Sequence, residues 1–237
     1  MTHPGTRNRH RGRLIELFGP PGAGKTTLVK SVAEQSDIVT RHQLSARWSS
    51  RSLAFRARQV AMAYLSVQQI AGAAQAMIRL RLFRREGLFR LAKLIAKQRW
   101  LRSQDATVLL DQGMLQELYS ALFASGRKDV DAASLAPLIK LLYRGLDVQI
   151  LVIEVAPSVA SARIGERTYG RSKLDRLRDD RLDAELQRTL RLQGRIIEAA
   201  RLADLPIEVL DGHAPVVELS DHIARTFSLP KRLSPHS

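Results

Sequence analysis

Short runs of consecutive apolar residues recur along the chain, and amphipathic stretches separate them. Leu14-Ile15-Glu16-Leu17-Phe18 reads as a strand ending at Gly19, and Lys25 to Glu34 as the helix that follows. Asp37 to Thr40 predicts a second, short strand. Ala106 to Leu110 is fully apolar apart from Thr107 and is bounded by Asp111 and Gly113, as a buried parallel strand would be. Helices are predicted over 115–123 and 132–142, with a strand from Val148 to Val155 after them. Pro157 opens a further helix, because proline is tolerated in a first turn. Leu182, Leu186, Leu190, Ile196, Ile197 and Ala200 line one side of a long amphipathic helix over 182–202. Ile207 to Leu210 is a last strand and 216–227 a last helix.

Alternating strands and helices predict an α/β fold: three layers, with a parallel sheet covered on both faces. One stretch departs from the alternation. Residues 47–102 carry helical periodicity and many arginines, and read as a helical insertion. The charged segment 166–180, with Gly170 inside it, reads as a mobile loop, and with Arg163 the lid spans about 163–181. The domain covers 14–228, between a basic tail at 1–13 and a proline-containing tail at 229–237.

Composition narrows this picture. The 237 residues suit one domain with a sizeable insertion. Aromatics make up only 5%, so the core is aliphatic, and the absence of cysteine excludes a disulfide scaffold or thiolate metal site. Met1 to Arg13 has no apolar stretch of the secretory kind, and a cytoplasmic location is expected. The longest charge-free run, Gln59 to Ile78, contains four glutamines and several alanines, and reads as a buried or partner-facing helix rather than a membrane span. The formal charge of +15 points to anionic partners.

The chemistry begins at Gly19-Pro20-Pro21-Gly22-Ala23-Gly24-Lys25-Thr26, which matches G-x-x-x-x-G-K-[ST] without departure. Glycines let backbone N–H groups approach phosphate oxygens, and the helix beginning near Lys25 aims its positive dipole end at the same anion. Lys25 adds a point charge on the β- and γ-phosphates, and the Thr26 hydroxyl is a magnesium ligand. By composition the pattern arises by chance in roughly one such chain in a hundred. Here the strand before it and the helix after it are both present.

A phosphate loop needs a carboxylate near the magnesium, at the end of a neighbouring buried strand. Asp111 is placed for that, to hold the metal or to take a proton from an acceptor hydroxyl. Asp-Gln-Gly is also good turn chemistry. Glu16 is the lesser candidate, because it lies within its strand. Arg163, Arg167 and Arg171 recur every four residues after the 148–155 strand and would line one face of a continuing helix. Arginines closing over a triphosphate neutralise charge that develops during phosphoryl transfer.

Four blocks make the chain resemble the nucleoside and nucleotide kinases, the thymidylate kinase-like proteins in particular. They are Gly19 to Thr27; the strand ending in Asp111; Glu154-Val155-Ala156-Pro157 through Arg163 and Arg167; and Val209-Leu210-Asp211-Gly212. The resemblance implies a three-layer P-loop fold, MgATP as phosphoryl donor, and a lid closing on phosphates. It implies that Lys25 and Thr26 bind phosphate and magnesium, that Arg163 and Arg167 are lid arginines, and that Asp111 is the aspartate of the family's Asp-Arg-aromatic motif. The nucleotide contacts then run through Gly19, Pro20, Pro21, Gly22, Ala23, Gly24, Lys25, Thr26 and Thr27, with Arg171 from the lid. Gln112 and Gly113 stand where that motif has arginine and an aromatic residue, so an acceptor site draws on other arginines, such as Arg51, Arg56 or Arg58 in the insertion.

The leading reading is therefore an ATP-dependent kinase acting on a small acceptor. The charge supports a second one, an ATPase that binds nucleic acid or a protein partner through the basic insertion; with few aromatics for base stacking, a single-strand binder is disfavoured. No Asn-Lys-x-Asp or Leu-Ser-Gly-Gly segment supports a GTPase or an ABC-type ATPase. A homo-oligomer is left open.

Overall fold

The computed structural model describes residues 12–50, 52, 85–124, 130–166 and 179–232. Among them β1 (Arg13–Phe18), β2 (Val39–Thr40), β3 (Val108–Leu110), β4 (Asp147–Glu154) and β5 (Ile207–Asp211) form a sheet in the order β2-β3-β1-β4-β5, with each neighbouring pair parallel. β1 is central. It pairs with β4 from Arg13↔Asp147 to Phe18↔Val152 and with β3 from Leu14↔Val108 to Glu16↔Leu110. Parallel pairing brings the C-terminal ends of β1, β3, β4 and β5, and the loops after them, to one edge of the sheet.

Side-chain alternation sorts the strands into two faces. Leu14, Phe18, Val108, Leu110, Val148, Ile150 and Val152 join one core cluster. α3 (Arg85–Arg102), α4 (Met114–Ala124), α5 (Ala132–Tyr143) and α7 (Asp179–Leu202) cover it. Ile15, Leu17, Leu109, Leu151 and Ile153 face α1 (Lys25–Gln35) and α8 (Val216–Thr226) on the other side. α2 (Arg41–Ser49) follows β2, and α6 (Pro157–Gly165) packs Ala160 and Ile164 against Leu186 of α7. Each fully buried aliphatic side chain contributes about 1.5–3 kcal/mol, so strands apolar on both faces are held from both layers. This is the three-layer α/β arrangement with a parallel sheet that the sequence predicts.

Some boundaries differ. α2 starts at Arg41, ahead of the insertion boundary at 47, and α7 starts at Asp179, inside the segment predicted as a lid. Residues 228–232 do not behave as a loose tail. Asp37 N–H donates to the Pro230 carbonyl at 2.7 Å, Arg232 N–H donates to the Gln35 carbonyl at 3.0 Å, and Leu229 is buried. Leu229 joins the core cluster of α1 and α8, and together with these backbone bonds it anchors that stretch. Most of the insertion, including Gln59 to Ile78, lies outside the described residues. So do 167–178 and both chain ends. No helix of the described residues is long and apolar enough to cross a membrane.

Candidate functional site

The phosphate loop leaves β1 at Gly19 and enters α1 at Lys25. Gly22 has φ +86°, where L side chains are strained, and a Cβ there would sit 2.7 Å from the Ala160 carbonyl oxygen. Gly24 is the N-cap of α1. It offers no side-chain cap, and no acidic residue occupies the first turn. The first backbone N–H groups of α1 are therefore left for an anion, at the positive end of the helix dipole. Lys25 folds back over this loop: its Nζ donates to the carbonyls of Gly19 (2.6 Å) and Pro20 (2.8 Å).

In the first turn of α1, Thr26 Oγ1 donates to Asp111 Oδ2 at 2.9 Å. Asp111 follows β3, the strand beside β1, so parallel register alone delivers its carboxylate to the loop. The two oxygen donors proposed for magnesium are thus one hydrogen bond apart. Both are hard oxygen ligands, as magnesium requires. No cluster of three or more His, Cys, Asp or Glu exists among the described residues.

Two cations grip the turn after β3. Arg41 Nε lies 3.1 Å from Asp111 Oδ1, an ion-pair contact without hydrogen-bond alignment, and its Nη1 donates to Gln112 Oε1 at 2.7 Å. Lys97 of α3 donates to the Gln112 carbonyl (3.1 Å) and to Glu117 Oε1 (2.6 Å). Beneath the turn lies Glu16. Its carboxylate accepts the N–H groups of Met114 (3.0 Å) and Leu115 (2.8 Å) at the start of α4, and the Tyr143 hydroxyl (2.5 Å). Complete burial raises its pKa, against the lowering effect of Tyr143 and Lys97. Burial and the adjoining Glu16 push Tyr143 well up. Glu16 caps a helix and does not face the phosphate loop's threonine. A Cβ at Gly113 would lie 2.0 Å from Glu16 Cδ, so the buried carboxylate leaves room only for glycine here.

Arg163, in the last turn of α6, reaches the Gly22 carbonyl at 3.5 Å and the Gly212 carbonyl at 3.4 Å. It bridges the phosphate loop to the loop after β5, so three of the sequence's four blocks, its own included, meet at one guanidinium. Gln193 of α7 is buried and donates to the Gly19 carbonyl at 3.0 Å.

The structure thus brings together Gly19 to Thr27, Asp111 and Arg163. Arg167, Arg171, Arg51, Arg56 and Arg58 lie outside the described residues. Sequence reasoning missed Arg41, Lys97 and Gln193. A polar residue on the apolar face of a predicted helix is the one clue that could have singled out Gln193; nothing comparable marks the two cations.

A model of the ATPase family associated with various cellular activities (AAA) matches residues 15–81. No curated protein matches the sequence. Among solved structures, deoxyadenosine kinase from M. mycoides with the products dCMP and a flexible dCDP is similar at 15% identity and TM-score 0.47, over 91% of this chain and 98% of that one. The same enzyme with bound dATP is similar at 16% identity and TM-score 0.46, over 92% and 100%. At that similarity neither assigns an activity.

Proposed function

We propose that the protein is an ATP-dependent phosphotransferase of the nucleoside and nucleotide kinase type, moving the γ-phosphoryl group of MgATP to a small acceptor. The observation that carries this reading is the Thr26–Asp111 hydrogen bond beside a glycine loop whose helix N-terminus has no cap. Thr26 and Asp111 would hold magnesium, which when bound neutralises charge on the β- and γ-phosphates. The N–H groups at the start of α1 bind phosphate oxygens, and Lys25 leaves its two carbonyls to join them. Arg163 stands close enough to turn from Gly22 and Gly212 toward the same phosphates. As the acceptor oxygen bonds to phosphorus, the bond to the ADP oxygen breaks and any proton on the acceptor oxygen passes to water, the Asp111 carboxylate being engaged with the metal.

The test is ADP formation from MgATP, alone and with pools of nucleosides, nucleotides and small phosphate acceptors. Stimulation by one pool is the expected result. Unchanged turnover in Lys25→Ala would remove the loop from the reaction.

The match to the AAA model over 15–81 and the +15 charge favour a second reading, an ATPase with a nucleic-acid or protein partner on the basic 47–102 region. In that case nucleic acid, not a metabolite pool, stimulates hydrolysis, and binding weakens steeply with salt.

A further inference from the structure

Gln193 is 3% exposed, on a helix whose neighbouring Leu192 and Ile196 are core residues. A buried primary amide is costly unless it is hydrogen-bonded. Its donor goes to one atom of special position, the carbonyl oxygen of Gly19, where β1 becomes the phosphate loop. That oxygen also accepts the Lys25 ammonium at 2.6 Å. The same carbonyl therefore holds a neutral donor from α7 and the charged donor that a triphosphate would draw away.

We infer that Gln193 is a positioning residue for nucleotide binding: it keeps the Gly19 carbonyl satisfied when Lys25 leaves it for the phosphates. This rests on reading the phosphate loop as a nucleotide site. Without Gln193, the departure of Lys25 strips a buried carbonyl of both donors, and the nucleotide must bind against that loss. With Gln193, the backbone at Gly19 holds its shape in both states while Lys25 moves.

The experiment is equilibrium titration of ATP into the full chain, with the melting temperature of the ligand-free protein read alongside. Wild type that binds no ATP refutes the nucleotide-site reading itself. Given wild-type binding, Gln193→Met, which keeps the volume and removes the donor, is expected to bind ATP about tenfold more weakly. Its ligand-free melting temperature should stay close to wild type, because Lys25 still holds the carbonyl. A purely structural glutamine gives the reverse, a lower melting temperature and unchanged affinity, and that result overturns the inference. Gln193→Asn, which retracts the amide by one methylene, is the second variant should Gln193→Met fail to fold. If neither folds, the role is structural and the inference falls.

Discussion

At the scale of single residues, three carboxylate and glycine positions carry opposite consequences. Asp111, itself buried, pairs with Thr26 and Arg41 at the loop edge, whereas Glu16, one pairing position back on β1, is sealed under α4 and α5. Asp111→Asn should therefore fold and still bind metal-free ATP, but lose most of the gain that magnesium adds, by tenfold or more; titrations with and without magnesium check this. Glu16 behaves differently with pH. Its folded pKa is raised, so the folded state binds a proton more tightly than the unfolded state, and its ionisation lowers stability as pH rises above the ordinary carboxylate range. The stability of wild type relative to Glu16→Gln should fall from acid toward neutral pH in urea melts; a difference that rises with pH would refute the assignment. Gly113→Ala places a Cβ against Glu16 Cδ and should cost about 3 kcal/mol in the same melts. Of these residues, Asp111 was legible because it ends a short apolar run of the kind that fits a buried strand. The burial of Glu16 was not legible, because a lone acid inside an apolar strand does not say which layer covers it.

At the scale of elements, periodicity carried furthest where helices are long or strands are apolar on both faces. α1, α5, α8 and β4 lie within a residue or two of their predicted limits. α2 escaped notice because Arg41 to Ser49 has hardly any apolar stripe; it is placed by β2 and by the Arg41 contacts. α5 contains an internal proline, Pro137, on its exposed side. Proline there removes the bond to the Ala133 carbonyl and crowds it. Pro137→Ala should stabilise the fold by about 1–2 kcal/mol, the helix gain being partly offset by a freer unfolded chain. A loss of stability instead would mean that the proline helps to seat Leu138 and Ile139 in the core.

For the whole molecule, the sheet order puts the β1 loop between the ends of β3 and β4, so one ligand at that edge touches α1, the turn after β3 and α6 at once. Such a ligand stabilises the folded state by mass action. ATP with magnesium at a hundredfold excess over its dissociation constant adds about 2.7 kcal/mol, a rise in melting temperature of roughly 5–10 °C for a chain of this size. Lys25→Ala should erase the rise while leaving the ligand-free melting temperature in place; a rise that survives the substitution would put the nucleotide elsewhere.

What the sequence by itself determined is whatever is local in the chain. Eight consecutive residues specify the phosphate loop, because the strand before it, the glycines and the helix after it are covalently adjacent. Apolar runs specify buried parallel strands, because no other element buries both faces over so few residues. The tertiary structure alone decided what meets across the chain: Gln193 with Gly19, 174 residues apart; Arg41 with Gln112, 71 apart; Glu16 with Met114, 98 apart. Strands that are apolar on both faces are interchangeable as neighbours. Their order and register, set by the packing of the whole core, choose which polar side chains are carried to the loop.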